Sequence, residues 1–389
     1  MPLKPSRRGD VPPFMVMDVM RDAAALEAGG RNIVHLEVGQ PSTGIPRAAA
    51  AKLAALIDRE VLGYTLADGV PALRDRIADH YRQFYGVAVD PARVFVTTGS
   101  SAAFQLAFMS AFEIGDRVAL AAPGYPAYRH ILSSLGVEPV LIPVDGGTRF
   151  QLTVEHLKAL SPAPAGVIIA SPSNPTGTMV PADEFRAMVR YCHDAGIRMV
   201  SDEIYHGITF GDGGVTAADM SPSAIVINSF SKYFSMTGWR VGWMVAPDDL
   251  RRSMECLAQN HFISPPALSQ WGALHAFDCV DELKANVAVY RRNRAQLLQR
   301  LSAMGLTKIA PSDGAFYAYV DVSERGGDSV SFCRRVLNEA GVATTPGVDF
   351  DPFAGHRFVR ISFAVSERDV IEALDRMERW IAGESGRRR

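Results

Sequence analysis

The chain has 389 residues, 48% hydrophobic and 21% charged, and its 40 lysines and arginines nearly balance 42 aspartates and glutamates to leave a formal charge of -2. This balance excludes the basic surface of a general nucleic-acid binder, and no apolar run approaches the ~20 residues that span a bilayer, so we expect neither partner. The four cysteines are widely spaced and the first residues lack the apolar core of a secretory signal, so we expect free thiols and a cytoplasmic location.

The first 46 residues contain one helical pattern and one short strand. Apolar residues recur at helical spacing over residues 15–28, and residues 33–38 form an apolar run of strand length. We expect residues 1–46 to be an N-terminal segment that packs on a small C-terminal domain and on the active site.

Between residues 47 and 283, helical patterns alternate with short apolar runs. The predicted helices begin at residues 47 and 71 and cover 101–112 and 181–195. The predicted strands are residues 94–98, 117–121, 137–142, 166–170, 198–201, 224–228 and 241–245. Because short buried strands alternate with helices, we predict a large α/β domain over residues 47–283. Its seven strands form a mostly parallel sheet that helices cover on both faces.

The pattern changes near residue 250, where long helices dominate. We predict helices over 266–278, 282–304, 330–340 and 366–381, and strands over 315–321 and 358–362. Residues 284–389 are therefore expected to form a smaller α+β domain.

Six of the 40 basic residues are lysines, which leaves 34 arginines and few candidates for any reaction that needs an amine. Lys232 differs from the other five lysines because it follows a buried strand among aromatic and hydroxyl residues. An apolar setting lowers the pKa of an amine and makes it a nucleophile suited to a Schiff base. In an open parallel sheet, the loops after the strands are also where ligands bind.

Two segments predict a phosphate site. Arg240 lies eight residues beyond Lys232, and with Ser229 and Ser231 it offers a guanidinium and two hydroxyls to phosphate oxygens. Residues Gly99, Ser100 and Ser101 open a helix after a strand, where the free N–H groups of the first turn favour an anion.

Four further residues predict a heterocycle beside that phosphate. Asp202 ends a strand and can hold a protonated ring nitrogen, while Tyr205 and Asn174 can donate to an oxygen on the same ring. Tyr125 is a flat aromatic suited to stacking on the ring. Together with the amine and the phosphate clamp, these residues predict a site for pyridoxal 5'-phosphate.

The motifs resemble, over nearly the whole chain, those of the fold-type I pyridoxal-phosphate-dependent aminotransferases of class I/II, the aspartate aminotransferase superfamily. The most specific combination is Ser173-Asn174-Pro175-Thr176-Gly177, then Asp202-Glu203-x-Tyr205, then Ser229-x-Ser231-Lys232 with Arg240. Further markers are Gly39-Gln40-Pro41, Gly63-Tyr64-Thr65, Thr98-Gly99-Ser100, Pro123-x-Tyr125-Pro126 and Arg360-Ile361-Ser362-Phe363.

The resemblance implies a role for each matching residue. Lys232 would form the Schiff base and carry the proton of the substrate Cα, Asp202 would hold the ring nitrogen, and Tyr205 would complete the catalytic set. The cofactor-binding set would be Gly99, Ser100, Ser101, Tyr125, Asn174, Asp202, Tyr205, Ser229, Ser231, Lys232 and Arg240, with Tyr64 supplied by the partner subunit of a homodimer with shared active sites. The substrate carboxylate would bind Arg360, helped by Gly39 and Asn174.

The implied reaction moves an amino group from an L-amino acid to a 2-oxo acid by a ping-pong mechanism. The alternative hypothesis on the same fold is a pyridoxal-phosphate-dependent β-lyase that cleaves C–S bonds. A third hypothesis is a non-catalytic module that senses the cofactor.

Two departures from the family bear on the substrate. Aspartate-specific relatives place an arginine before the long helices, whereas residues 259–266 offer only His261, and Ser101 stands where a related branch has lysine. Both departures favour a neutral or aromatic donor over a dicarboxylate. The segment 12–15 either closes over that substrate or docks by hydrophobic contact alone.

Overall fold

The computed structural model describes residues 3–211 and 213–387. The outermost ends of the predicted N-terminal segment and C-terminal domain, residues 1–2 and 388–389, therefore lie outside the described residues.

The strands are numbered in chain order. They are β1 (Val34–His35), β2 (Val94–Thr97), β3 (Arg117–Ala122), β4 (Glu138–Pro143), β5 (Gly166–Ala170), β6 (Arg198–Asp202), β7 (Ile225–Ser229), β8 (Gly242–Val245), β9 (Tyr317–Asp321), β10 (Val342–Ala343), β11 (Thr345–Pro346) and β12 (Phe358–Ser362).

The helices are numbered in the same way. They are α1 (Met15–Ala28), α2 (Arg47–Ile57), α3 (Pro71–Tyr85), α4 (Gly99–Ala111), α5 (Pro126–Leu135), α6 (Val154–Lys158), α7 (Ala182–Asp194), α8 (Arg251–His261), α9 (Ala267–Ala276), α10 (Val280–Ala303), α11 (Ser329–Arg335) and α12 (Glu367–Arg387). None of the helices in the described ranges is long and apolar enough to cross a membrane.

The central sheet has seven strands in the order β2-β8-β7-β6-β5-β3-β4. The β3–β4, β3–β5, β5–β6 and β6–β7 pairs are parallel, while β8 runs antiparallel to both of its neighbours. The predicted mostly parallel, seven-stranded sheet is confirmed. Because β8 alone is reversed, the carboxyl ends of the other six strands share one edge.

Both faces of the central sheet are covered, as its continuous apolar strands predict. On β5, Val167 and Ile169 enter one hydrophobic cluster and Ile168 enters another. Adjacent residues of a strand point to opposite faces, so the two clusters lie on opposite sides of the sheet.

The C-terminal part is built on an antiparallel sheet of order β11-β12-β9. Helices α10 and α12 pack together there, and Arg300 of α10 binds Asp375 and Glu378 of α12. The N-terminal β1 pairs in parallel with β10, so the N-terminal segment contacts the C-terminal part. The domain boundaries stay a prediction, and α10 runs without a break through residue 283.

Several elements lie outside the sequence-based prediction. The predicted strand over residues 33–38 shortens to β1, and the predicted helix over 330–340 is α11 followed by a wider π-helical turn at Val336–Ala340. Helices α5 and α8 were not predicted. For α5 the sequence does carry both end signals, since Pro126 is in its first turn and Gly136 ends it with a positive φ of 83°.

Candidate active site

A cleft lies at the edge where the parallel strands end. The turns after β5, β6 and β7 and the start of α4 form one side of the cleft, and α1, β9 and β12 form the other. Eleven of the predicted site residues line it: Gly39, Ser100, Ser101, Tyr125, Asn174, Asp202, Tyr205, Ser231, Lys232, Arg240 and Arg360. The loops that the sequence singled out are thus brought to one place by the sheet.

Lys232 lies three residues beyond the end of β7 and points into the cleft. Its Nζ donates to the carbonyl oxygen of Gly39 at 2.6 Å. Burial, and after it the nearby cations Arg360 and Arg240, lower the pKa of this amine to about 8, against the opposing effect of Asp202. Part of the amine is therefore neutral, and able to accept a proton, near physiological pH.

Asp202 is the last residue of β6 and is 3% exposed. Its Oδ1 accepts from the backbone N–H of Ile204 at 3.1 Å, and its Oδ2 accepts from the hydroxyl of Tyr128. Burial raises the pKa of Asp202 to about 6, although both hydrogen bonds oppose the rise. A cationic partner in the cleft would favour the ionised carboxylate.

The anion corner of the cleft is formed by Arg240, Ser231 and the first turn of α4. Arg240 is fixed by a hydrogen bond from its Nη1 to the carbonyl oxygen of Thr237 at 2.9 Å. Gly99 has a positive φ of 75°, and a side chain there would collide with the Arg240 guanidinium. A guanidinium, hydroxyls and free helix N–H groups in one corner are the groups that bind phosphate.

Arg360 is a buried cation on the opposite side, 2% exposed. Its guanidinium lies between the rings of Tyr317 and Phe350, 4.6 and 4.7 Å from their centroids. One Nη donates to Asn174 Oδ1 at 2.9 Å and the other to the carbonyl oxygen of Glu37, while the buried Nε has no partner within the described ranges. The stacking fixes the plane of the fork and leaves binding capacity for an anion.

Tyr205 is buried beside Lys232, and its hydroxyl lies 2.7 Å from the hydroxyl of Tyr317. Burial raises the pKa of Tyr205 well above its ordinary value. The phenol is thus neutral across the physiological range and keeps its hydrogen for donation.

One wall of the cleft is apolar and comes from α1 and the residue before it. This apolar wall is Phe14, Val16, Met17 and Met20. The ring of Phe14 meets Tyr125 edge to face at 5.9 Å between centroids. Of residues 12–15, Phe14 lines the cleft, and whether the segment closes over a substrate stays a prediction.

Three predicted residues do not line this chain's cleft. Gly99 lies behind Arg240, as described. Ser229 is 1% exposed, and its hydroxyl donates to Ser231 Oγ at 2.9 Å, so it supports the neighbouring hydroxyl instead of reaching the cleft. Tyr64 is 85% exposed on the surface.

Tyr128, Tyr317, Met17 and Met20 also line the cleft and were not among the predicted site residues. Tyr128 follows Tyr125 by three residues, about one helical turn. A predicted helix beginning near Tyr125 would therefore have placed the two tyrosines on the same side. Tyr317 begins an apolar strand, and Met17 and Met20 belong to an amphipathic helix, so each pattern is equally typical of core packing.

Comparisons with known proteins show which family the chain resembles over most of its length. Residues 31–377 match the family model described as aminotransferase class I and II. The chain is similar to a valine–pyruvate aminotransferase of Mycobacterium tuberculosis, with 47% identity over 96% of this chain and 97% of that protein. It is also similar to an aspartate/prephenate aminotransferase of Thermus thermophilus, with 31% identity over 94% of this chain and 96% of that protein. A crystal structure of an aminotransferase from Mycobacterium tuberculosis superposes with a TM-score of 0.96 at 46% identity, covering 98% of this chain and all of that one.

Proposed function

Because the chain belongs to the class I and II aminotransferase family, and is therefore an enzyme that transfers amino groups, we propose that its cleft binds pyridoxal 5'-phosphate and takes the amino group of a neutral L-amino acid for a small 2-oxo acid. The observation that carries the substrate class is the apolar wall of Phe14, Val16, Met17 and Met20, which lines the same cleft as the cations.

The residues of the cleft fit this cofactor. Arg240, Ser231 and the N-terminus of α4 suit a phosphate dianion, and the space that Gly99 leaves open lets the guanidinium reach it. The buried Asp202 suits a protonated ring nitrogen because a cation offsets the cost of burying the carboxylate. The Lys232 amine suits the aldehyde group.

When bound, the cofactor supplies a ring that delocalises the electron pair left on the substrate Cα after its proton is lost. Asp202 holds a proton on the ring nitrogen, which keeps the ring an effective electron acceptor. Lys232 Nζ would take the proton from the substrate Cα and deliver it to the aldehyde-derived carbon of the cofactor, and its lowered pKa suits it to both steps near neutral pH.

Arg360 orients the substrate. Its guanidinium lines the cleft beside Asn174, and it supplies the positive charge and the N–H groups that would bind the α-carboxylate. Holding that carboxylate fixes the rotation about the Cα bonds, and so decides which bond stands perpendicular to the ring and breaks.

The charges of the cleft favour a neutral donor. Among the described residues that line it, the cations are Lys232, Arg240 and Arg360, and the roles above use all three. No further cation of the described lining is left for a side-chain carboxylate, whereas the apolar wall suits an aliphatic or aromatic side chain. The name of the valine–pyruvate relative supports the same class of donor and acceptor.

A donor panel tests the proposal. The cofactor-bound enzyme is mixed with single amino acids, and amination of the cofactor is followed as loss of its visible absorbance, with recovery on adding pyruvate. We expect valine, leucine or alanine to react faster than aspartate or glutamate. A clear preference for a dicarboxylate would overturn the substrate class. Accumulation of ammonia and pyruvate from cysteine conjugates would instead indicate the C–S lyase. Absence of turnover with every donor would indicate the module that senses the cofactor.

We further propose a homodimer that shares its active sites. Tyr64 lies away from its own cleft, on a surface rich in exposed apolar side chains: Ile57, Val61, Leu62, Tyr64 and Leu66. Such a patch is typical of a surface that another subunit covers. Light scattering on the purified protein tests this, since a monomeric mass would contradict it.

The four unpaired cysteines fit a reducing cytoplasm, which we propose as the location.

A further inference from the structure

Tyr317 lines the cleft and contacts both Arg360, to which the proposed function assigns the substrate, and Tyr205, to which it assigns the cofactor. It is the first residue of β9 and is 1% exposed. The Arg360 guanidinium covers its ring, and its hydroxyl lies 2.7 Å from that of Tyr205. The hydroxyl also fills the space beside Gly39, where any side chain would collide with it.

The two hydroxyls can be arranged in two ways, because each phenol has one hydrogen. If Tyr205 donates to Tyr317, this bond takes the one hydroxyl hydrogen of Tyr205, and the Tyr205 oxygen can then only accept a hydrogen bond from a group in the cleft. If Tyr317 donates to Tyr205, the hydrogen of Tyr205 is free to point into the cleft. The Arg360 cation opposes the rise that burial causes in the pKa of both phenols, but its guanidinium lies against the Tyr317 ring, 4.6 Å from the centroid. It therefore makes Tyr317 the stronger donor of the two and favours the second arrangement.

We propose that Tyr317 is a positioning residue, which donates a hydrogen bond to Tyr205 and so aims the only hydroxyl hydrogen of Tyr205 at the ring oxygen of the bound cofactor. Two contacts fix Tyr317 for this role: Arg360 lies against its ring, and Ser312 Oγ donates to its backbone oxygen at 2.8 Å. A hydroxyl that accepts a hydrogen bond becomes a stronger donor itself, so Tyr317 also strengthens the bond that Tyr205 makes.

The inference rests on the proposed function, because it needs a cofactor in the cleft, and it is tested by a pH titration of the bound cofactor's visible absorbance. Weaker donation by Tyr205 stabilises the deprotonated cofactor less, so Tyr317→Phe is expected to raise the titration midpoint by about 0.5–1 pH unit, the shift that one hydrogen bond produces. Replacing Tyr317 by 3-fluorotyrosine, a more acidic phenol of nearly the same size, is expected to lower the midpoint, which gives a second readout if the Phe variant binds cofactor poorly.

Tyr319→Phe is the matched control. Tyr319 lies two residues along the same strand and is fully buried, but its ring stacks on Phe358 and its hydroxyl has no partner among the described residues. Its replacement is expected to leave the midpoint unchanged. In a Tyr205→Phe background, Tyr317→Phe is expected to add no further shift, because Tyr317 acts through Tyr205.

The results of these titrations distinguish a failure of the positioning role from a failure of the proposed function. If the unaltered enzyme shows no cofactor absorbance, the proposed function fails. If it does, and the midpoint is the same in Tyr317→Phe and Tyr319→Phe, or if the Tyr317→Phe shift persists in the Tyr205→Phe background, the positioning role of Tyr317 is wrong and the proposed function stands.

Discussion

The two sides of the cleft are built in opposite ways. The floor, made of Asp202, Lys232 and Arg240, consists of charged groups at or near the ends of strands of the central sheet. Burial and hydrogen bonds change the pKa of Asp202, and burial and nearby charges change that of Lys232. The apolar wall carries no charge, and its Met17 is 56% exposed. We therefore expect catalysis and donor selection to depend on different residues. Substitutions in the floor should lower the rate with every amino donor, whereas substitutions in the wall should change the order of preference among donors.

The largest expected effect is on the floor at Lys232. Replacing it by alanine removes both the amine that binds the cofactor and the group that moves the Cα proton. We expect kcat to fall by about 10⁴-fold or more for every donor. Lys284→Ala, at an exposed lysine of α10, is the control and should keep full activity. If the activity of Lys232→Ala stayed within tenfold of that of the unaltered enzyme, the catalytic role assigned to Lys232 would be wrong.

Asp202→Asn keeps the shape of the floor but removes the charge that holds the ring proton. We expect kcat to fall roughly 10²–10³-fold, with KM for the donor nearly unchanged, because the lost interaction is strongest in the transition state. Single-turnover rates with the preferred donor measure this. A rise in KM at constant kcat would indicate that Asp202 holds substrate instead.

The wall should show the opposite behaviour. Met20→Ala removes apolar surface facing the substrate, so we expect kcat/KM for leucine or valine to fall about three- to tenfold, while that for alanine changes little. Met15→Ala is matched in chemistry and helix, but Met15 lines a different groove, so it should leave the donor order unchanged. An equal loss of kcat/KM for all donors in Met20→Ala would contradict the role of the apolar wall in selecting the donor.

The smallest expected effect concerns stability without cofactor. Burial lowers the pKa of Lys232 from about 10.5 to about 8, so folding the protonated amine costs free energy below pH 8. Lys232→Met should therefore raise the melting temperature of the cofactor-free protein at pH 7, by about 1–3 °C. The gain should shrink between pH 8 and 10.5, where the folded protein releases the proton before the unfolded chain does. A gain that stays constant over this range would contradict the lowered pKa.

Much of the floor could be predicted from the sequence because it depends on local order. Short buried strands between helices predict a parallel sheet, and the polar residues directly after them, such as Asp202 and Lys232, must then share its edge. The hydroxyls of Tyr128 and Tyr317 could not be placed in this way. They reach Asp202 and Tyr205 through contacts between segments 74 and 112 residues apart.

The wall could be predicted even less. Helix α1 was predicted with its observed bounds, yet its spacing does not say which side packs on the protein and which side faces a ligand. Its position depends on pairing between β1 and β10, and on the hydrogen bond from the Met15 N–H to Asp349 Oδ1 at 3.2 Å, across 334 residues of sequence.

The most direct test of the account is chemical trapping of the cofactor. Borohydride reduction of the cofactor-bound enzyme, followed by proteolysis and mass spectrometry, identifies the lysine that carries it. The account predicts a single labelled peptide containing Lys232. Label on Lys4, Lys52, Lys158, Lys284 or Lys308 in place of Lys232 would contradict it.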